Sequence, residues 1–145
     1  MKLRLQTDYA LRTLMFLGFA ERKATAEEIA NLFNISKDHL VKIIQQLAKA
    51  GYVNTIPGRS GGVVLAREPD NIIVREVVEM MEGRSRVLEC VDDPSICPLE
   101  PGCRLRKLLI KAESAFYETL GEVSIANLCV DSQQGGLYTL ISKTV

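Results

Sequence analysis

Residues 36–66 constrain the fold most strongly, because the pattern of an amphipathic helix is followed directly by the pattern of a β-hairpin. In SKDHLVKIIQQLAKAG, Ser36 is placed to cap the N-terminus of a helix and Gly51 supplies a left-handed stop. The side chains predicted to face inward are Leu40, Ile43, Ile44 and Leu47. YVNTI then alternates as a strand does, PGRSGG is rich in turn residues, and VVLA returns as a second strand. The sequence therefore predicts a helix that leads straight into a hairpin.

Two further helices are predicted before this one. TDYALRTLMFLGFAER carries apolar residues at helical spacing, and Thr7 or Asp8 is suited to cap its N-terminus. In TAEEIANLF, Thr25 stands three residues before a glutamate, which is the spacing of a capping box. The second and third helices are joined by a short turn, as in a helix-turn-helix, although an ordinary helical hairpin with a solvated face fits the pattern equally well. The β-hairpin that follows favours a winged helix-turn-helix.

Charge is distributed unevenly along a chain whose net charge is zero. Residues 34–62 carry a local net charge of +3, whereas residues 68–100 carry −6. A basic surface attracts polyanions, so the third helix and the wing form the predicted DNA contact region, with the helix in the major groove and the wing tip at the minor groove or phosphates. The predicted contacts are Lys37, Asp38, His39, Lys42 and Arg59. A loop arginine exposed only to solvent is the alternative for the wing tip.

The rest of the chain predicts a mainly α-helical protein. NIIVREVVEMMEG has the spacing of a helix that ends at a glycine, and a longer helix is predicted from Arg104 to Leu120. Its apolar stripe is formed by Leu105, Leu109, Ala112, Phe116 and Leu120. Such a stripe most simply packs against its copy in a second subunit, and we expect SIANLCV to cap this arm. We therefore divide the chain into a DNA-binding domain (1–83), a cysteine loop (84–103), and a dimerisation helix with a C-terminal segment (104–145).

The length and composition of the chain disfavour several classes of protein. The 145 residues contain no apolar run near the ~20 residues that a membrane span requires. The first residues, MKLRLQTDYALR, are charged too often for a signal peptide, so we expect a cytoplasmic protein. With one histidine and no Ser-His-Asp set, phosphate-binding glycine loop or paired carboxylates, we also expect no enzyme activity.

Three of the four cysteines, Cys90, Cys97 and Cys103, lie within fourteen positions. In a reducing compartment they predict a metal or redox site more than a disulfide. Gaps of six and five residues are wider than the C-x2-C pairs of structural zinc sites, and a loop stiffened by prolines suits an iron–sulfur cluster. A zinc site and transiently pairing redox thiols are the alternatives. The fourth ligand could be Cys129, a carboxylate, a histidine, or an exchangeable water or small molecule. Of these, Cys129 is better interpreted as a buried structural thiol and His39 as a side chain that faces solvent or DNA.

These motifs together resemble the iron–sulfur winged-helix transcription repressors, which include the NsrR, IscR and RirA groups. The resemblance covers nearly the whole chain and is strongest in TDYALRTLMFL, HLVKIIQQLAKAGYV, GRSGGVVLA and CPLEPGCRLR. It implies a homodimer that binds double-stranded operator DNA. An electron carrier or redox enzyme that uses the cluster is the alternative from another class, and it leaves the basic helix and the wing arginine unexplained.

Within this family the match is closest to the nitric-oxide-sensing NsrR group. The resemblance implies that Cys90, Cys97 and Cys103 bind a 4Fe-4S cluster, with 2Fe-2S as the alternative, and that Asp8 of the partner subunit is the fourth ligand. In the IscR group a histidine follows the last cysteine by three residues, and this position is Arg106 here. The implied function is repression that ends when nitrosylation of the cluster releases operator DNA. A repressor that senses iron or cluster supply is the alternative.

Overall fold

The computed structural model of the chain describes residues 2–83, 87–99 and 102–130. The C-terminal part of the predicted last segment, residues 131–145, lies outside the described residues. Within them the chain forms seven α-helices and one two-stranded sheet. The elements are α1 (Leu5–Ala20), α2 (Ala26–Phe33), α3 (Lys37–Lys49), β1 (Val53–Ile56), β2 (Gly62–Leu65), α4 (Val74–Glu82), α5 (Glu89–Asp92), α6 (Arg104–Gly121) and α7 (Ile125–Val130). Short 3-10 turns occupy Pro69–Asn71 and Pro94–Ile96.

The central helix α1 begins differently from the prediction. It starts at Leu5 after Arg4, so Thr7 and Asp8 lie inside the first turn and the prediction that either one caps the helix is wrong. Instead, the first turn of α1 is bonded by Glu82, which lies at the end of α4. Its carboxylate accepts a 2.8 Å hydrogen bond from the Arg4 N–H and another from the Thr7 hydroxyl. A buried carboxylate therefore satisfies and stabilises the positive end of α1.

Helices α2 and α3 follow the predicted pattern closely. The Thr25 hydroxyl caps α2 by accepting a 3.1 Å hydrogen bond from the Glu28 N–H, as predicted. Ser36 occupies the cap position of α3, but its side chain makes no capping hydrogen bond there. Gly51 has the predicted left-handed conformation, with φ +76°. The predicted inward residues of α3 are all buried: Leu40, Ile43, Ile44 and Leu47.

The predicted hairpin is an antiparallel pair in which Val53 lies opposite Leu65 and Ile56 lies opposite Gly62. Gly62 is required by close packing, because a Cβ atom there would lie 2.7 Å from the Ala24 carbonyl oxygen. Together with α2 and α3, the hairpin completes a winged helix-turn-helix. The prediction of this fold is confirmed.

Helix α7 packs against the core of the winged helix-turn-helix, and the part of the chain built on this core is called the head below. Ile125 is fully buried in the core, and a Cβ atom on Gly18 of α1 would lie 3.2 Å from its Cγ2 atom. The Ile125 N–H also donates a 2.9 Å hydrogen bond to the Ile72 carbonyl before α4. The prediction that SIANLCV caps the long helix is therefore wrong, because its buried side chains pack on α1. Helix α6 packs against α4.

Candidate DNA interface and cysteine loop

The exposed face of α3 carries four residues predicted to contact DNA. Lys37, Asp38, His39 and Lys42 lie near its N-terminus, and all four are exposed. The opposite face of α3 is buried in the core, which turns these side chains toward solvent. Lys37 Nζ lies 3.1 Å from Glu27 Oε2, but both side chains are more than half exposed, and such ion pairs are weak. This pair therefore does not exclude the DNA contact that is predicted for Lys37.

A groove of about 600 Å³ lies between α3 and the wing. Lys37 and Gln45 line its helix side, and Thr55 and Arg59 line its wing side. The structure thus brings two of the predicted contacts, Lys37 and Arg59, to one groove. The other three predicted contacts are exposed on α3 outside this lining.

Gln45 and Thr55 also line this groove but are not among the predicted contacts. Gln45 follows Lys42 by three residues, so helical spacing alone could have identified it. Thr55 faces the groove because β1 pairs with β2, which places Thr55 opposite Val63. No local signal in the sequence gives that information.

Contacts from outside the hairpin hold the wing in place. Lys23 Nζ donates a hydrogen bond to the Ser60 carbonyl beside Arg59 at the tip. Ala24 and Val63 exchange two backbone hydrogen bonds of 3.1 and 2.7 Å. The segment before α2 therefore fixes both the tip of the wing and the middle of its second strand.

The three clustered cysteines occupy three separate elements. Cys90 lies in α5, Cys97 follows the 3-10 turn, and Cys103 is the N-cap residue of α6. All three are free thiols and are half-buried. Within residues 2–83, 87–99 and 102–130, no three Cys, His, Asp or Glu side chains come together closely enough to hold a metal ion. A metal site at these thiols therefore stays a prediction.

Arg106 ties two of the cysteine-bearing elements together. Its Nε donates a 2.6 Å hydrogen bond to the Cys90 carbonyl, and its Nη2 donates one of 3.0 Å to the Val91 carbonyl. Its backbone N–H points at Cys103 Sγ, 3.4 Å away. Arg106, which occupies the position of the IscR-group histidine, therefore links α5 to the start of α6.

Asp8, the predicted ligand from the partner subunit, lies in the first turn of α1. Its side chain is 42% exposed, and its carboxylate accepts a 2.9 Å hydrogen bond from Arg12 Nε one helical turn away. Because Glu82 satisfies the start of α1, the Asp8 carboxylate is not needed as a cap. The pair with Arg12 is exposed and therefore weak, so it does not prevent the Asp8 carboxylate from binding a group outside its own helix.

Cys129 has a different environment from the other three cysteines. Its Sγ atom lies 3.5 Å from the Met15 carbonyl in the packing of α7 on α1. Burial raises the pKa of the Cys129 thiol and so disfavours the thiolate form that binds metals. This environment supports the interpretation of Cys129 as a structural thiol.

Large apolar side chains are exposed around the cysteine loop and the start of α6. Leu105 and Leu108 of α6 are 57% and 62% exposed, and Leu99 of the loop is 67% exposed. Farther along the predicted stripe, Phe116 and Leu120 are half-buried. An exposed apolar surface of this kind is typical of a protein interface. None of the described helices has the length and hydropathy of a membrane span.

A winged helix-turn-helix with an exposed polar and basic recognition helix defines the class of protein as a DNA-binding regulator. The Rrf2 family of iron-dependent transcriptional regulators matches residues 3–131. The chain is 42% identical over 134 residues to the HTH-type transcriptional regulator NsrR of Geobacillus kaustophilus, covering 90% of this chain and 91% of that relative. NsrR of Bacillus subtilis is 39% identical over 132 residues, covering 88% and 90% of the two chains. The chain therefore belongs to the Rrf2 family.

The structural comparison gives the same result. CymR (YrzC), the global cysteine regulator of B. subtilis, has a TM-score of 0.71 and 28% identity, and the match covers 89% of this chain and 96% of that one. The predicted resemblance to winged-helix regulators of the NsrR type is confirmed by these relatives. Since the family consists of transcription regulators, the chain is a DNA-binding regulator and not an enzyme.

Proposed function

We propose that the chain is a cytoplasmic homodimeric repressor that senses nitric oxide through an iron–sulfur cluster and then releases operator DNA. The observation that carries the proposal is the loop of three free thiols placed between a winged-helix head and α6. The resemblance to the nitric-oxide-sensing group, and relatives named NsrR at 42% and 39% identity, support it.

The chemistry of the donor set fits such a cluster. Cys90, Cys97 and Cys103 are soft donors, are free of disulfides, and stand on three separate elements. Arg106 holds the Cys90 carbonyl against the start of α6, which limits how far this part of the loop can open. A bound cluster would supply iron atoms that a diatomic gas can attack, and 4Fe-4S is the form that we propose.

Asp8 of the partner subunit is the proposed fourth ligand. A carboxylate is a hard donor beside three soft thiolates, so its iron is the easiest for a ligand to reach. Asp8 lies on α1, and α1 packs directly against the recognition helix α3. Because α1 is part of the packed head, loss of this ligand would free the whole head to shift relative to the partner subunit.

The free energy needed to release operator DNA is modest. About 100-fold weaker operator binding corresponds to about 2.7 kcal/mol. A dimer reads two half-sites at a fixed spacing, so a small shift of the heads costs phosphate and base contacts together. One metal–ligand bond across the dimer can supply this difference.

The exposed apolar surface supports a second copy of the chain as the partner. Leu105 and Leu108 lie three residues apart on α6 and are both more than half exposed. Burial against the same helix of a second chain would remove this apolar area from water, at about 25 cal/mol per Å². We propose that α6 is the dimerisation helix, as the division of the sequence predicts.

A nitric oxide titration tests the proposal. Protein purified without oxygen should be brown, and nitric oxide should bleach its visible absorption in step with loss of operator binding. A colourless protein with stoichiometric zinc, or DNA binding that ignores nitric oxide, would contradict it.

A sensor of iron or cluster supply is the second candidate. The family is described as iron-dependent, and the six-residue gap between Cys90 and Cys97 resembles the longer gaps of the RirA group. Loss of the cluster and of DNA binding under iron limitation, with a slow response to nitric oxide, would favour this candidate.

A further inference from the structure

Arg67 joins the end of the wing to the end of the recognition helix. It lies two residues after β2, and its Nε donates a 2.9 Å hydrogen bond to the Gly51 carbonyl. Its Nη2 donates a second one, of 3.2 Å, to the Ala50 carbonyl. The guanidinium carbon also lies 4.7 Å from the centre of the Tyr52 ring. One side chain thus makes three contacts with the segment that closes α3.

The chemistry of Arg67 suits this position. The last carbonyls of a helix have no partner inside the helix, and the C-terminal end carries partial negative charge. A planar guanidinium can donate two hydrogen bonds and stack on a ring at the same time, which a lysine ammonium cannot do. The Tyr52 ring beneath it is buried, so this platform is itself fixed by the core.

Other contacts also hold the wing: Lys23 and Ala24 bond its tip and its second strand, and at its base the Tyr52 N–H donates a 2.9 Å hydrogen bond to the Leu47 carbonyl of α3. Next to Arg67, the Ala66 N–H donates a 2.9 Å hydrogen bond to the Tyr52 carbonyl, and the strand register places Val53 opposite Leu65. These contacts set the pairing of the strands. The Arg67 side chain adds a further contact with the end of α3 itself.

We propose that Arg67 is a positioning residue that sets the angle between the wing and the recognition helix, and that specific DNA binding depends on it. This role concerns only the winged helix-turn-helix of the chain and does not depend on the proposed cluster or on its signal.

A small change in the angle at the base of the wing produces a larger displacement at its tip. From Leu65 to Gly62 the strand β2 extends about 10 Å at about 3.3 Å per residue, and the turn that carries Arg59 lies beyond its end. A tilt of about 10° at the base therefore moves the far end of the strand by about 2 Å, which is enough to break a hydrogen bond. Because α3 and Arg59 must reach DNA together, such a shift costs one set of contacts whenever the other is made.

The test uses full-length protein purified without oxygen and two probes. One probe is the duplex that the unaltered protein selects from a random pool, and the other is a duplex of random sequence. Arg67→Ala should weaken binding to the selected duplex by about tenfold and binding to the random duplex by less than about threefold, because positioning affects specific contacts most. The dependence of affinity on salt should stay unchanged, since Arg67 is not assigned a phosphate contact.

Two other variants are compared with Arg67→Ala. Arg59→Ala, which removes a proposed DNA contact, should weaken binding to both probes and reduce the salt slope by about 1 per head. Arg75→Ala is the matched control, because Arg75 also stacks on a tyrosine, at 5.8 Å from the Tyr117 ring, and bonds Glu79 at 2.8 Å, but lies on α4. Arg75→Ala should leave both affinities unchanged.

Arg67→Lys keeps the charge and serves as the second variant if Arg67→Ala folds poorly. It should still lose specificity, because lysine cannot reproduce the two hydrogen bonds and the stacking together. Normal binding of Arg67→Lys would overturn the proposal. A salt slope reduced as in Arg59→Ala would also overturn it, since Arg67 would then be a direct phosphate contact.

Discussion

The DNA-binding head and the cysteine loop are built in opposite ways. In the head, the exposed residues of α3 stand on a core of fully buried side chains such as Leu14, Leu40 and Leu47. In the loop, Cys90 and Cys97 stand on or beside elements of three or four residues, and all three clustered thiols are half-buried. One chain is therefore enough to shape the exposed face of the recognition helix. The proposed sensor needs components from outside the chain.

The contrast follows from what each region must do. A recognition helix and wing must meet DNA at a fixed angle, so rigidity is required. A sensing site must change when its signal arrives, and regions that move are built from less stable parts of a fold. Substitutions in the head should therefore act on folding or affinity, and substitutions in the loop should act on the proposed site.

The largest expected effect comes from the core of the head. Phe16 is 2% exposed and meets Phe33 edge to face, with ring centres 6.5 Å apart. Phe16→Ala should lower the free energy of unfolding by about 3–5 kcal/mol, measured by urea unfolding at fixed protein concentration. His39→Ala, at an exposed position of α3, should change it by less than about 0.5 kcal/mol. A loss below about 1 kcal/mol for Phe16→Ala would mean that the head is not a packed unit.

The next effect concerns the link between α1 and α4. Glu82→Ala leaves the Arg4 N–H and the buried Thr7 hydroxyl without their acceptor, so the free energy of unfolding should fall by about 1–3 kcal/mol. Glu79→Ala on the same helix removes only an exposed pair with Arg75 and should cost less than about 0.5 kcal/mol. Equal losses in the two variants would show that Glu82 does not hold the start of α1.

A smaller effect on stability is expected in the loop. Arg106→Ala removes two hydrogen bonds to the carbonyls of α5 and should increase the alkylation rate of Cys90 in cluster-free protein. The urea unfolding of the head should change by less than about 1 kcal/mol, because the contacts of Arg106 lie outside the core of the head. Arg104→Ala, at the exposed first residue of α6, is the control. A cooperative loss of the whole fold in Arg106→Ala would erase the contrast between the two regions.

The smallest effect is a pH dependence in the head. A hydrogen bond from Arg22, with a smaller contribution from the Thr25 contact, lowers the pKa of Glu28. A lowered pKa stabilises the fold above the ordinary glutamate pKa of about 4.3, and this stabilisation is lost as the pH falls through the folded value.

Glu28→Gln should therefore cost a few tenths of a kcal/mol at pH 7, because the pair is partly exposed, and less at pH 3. Urea unfolding at both pH values measures the difference. An equal cost at both values would mean that the charge of Glu28 does not contribute.

Much of the head was predictable because its signals are local. The Thr25 cap, the Gly51 stop and the four inward residues of α3 follow from spacing within one helix. The exceptions depend on contacts that are distant in the sequence. Glu82 replaces the predicted cap of α1 from 75 residues beyond Thr7, and Ile125 reaches the core from beyond α6. No periodicity in the sequence carries that information.

The candidate site shows the same division between features set by local sequence and features set by distant contacts. The exposed positions of Lys37 and Lys42 follow from helical spacing, whereas the groove that joins Lys37 to Arg59 depends on the pairing of the wing. The three clustered thiols are visible in the sequence as a group. Their fourth ligand is not, since Asp8 enters only through the family resemblance and would come from another chain.

A mixed dimer tests the cross-subunit site most directly. One chain carries Asp8→Ala, the other carries Cys90→Ser, Cys97→Ser and Cys103→Ser, and different tags allow the mixed dimer to be purified without oxygen. If Asp8 of one subunit completes the thiols of the other, this dimer holds one complete site and should show half of the unaltered visible absorption with a normal nitric oxide reaction. The Asp8→Ala homodimer is the necessary reference, and it should lose the cluster or hold it loosely. If the mixed dimer is as defective as this homodimer, Asp8 acts within its own chain, and if the homodimer itself shows normal absorption and a normal nitric oxide reaction, Asp8 is not a ligand; either result would contradict the proposal.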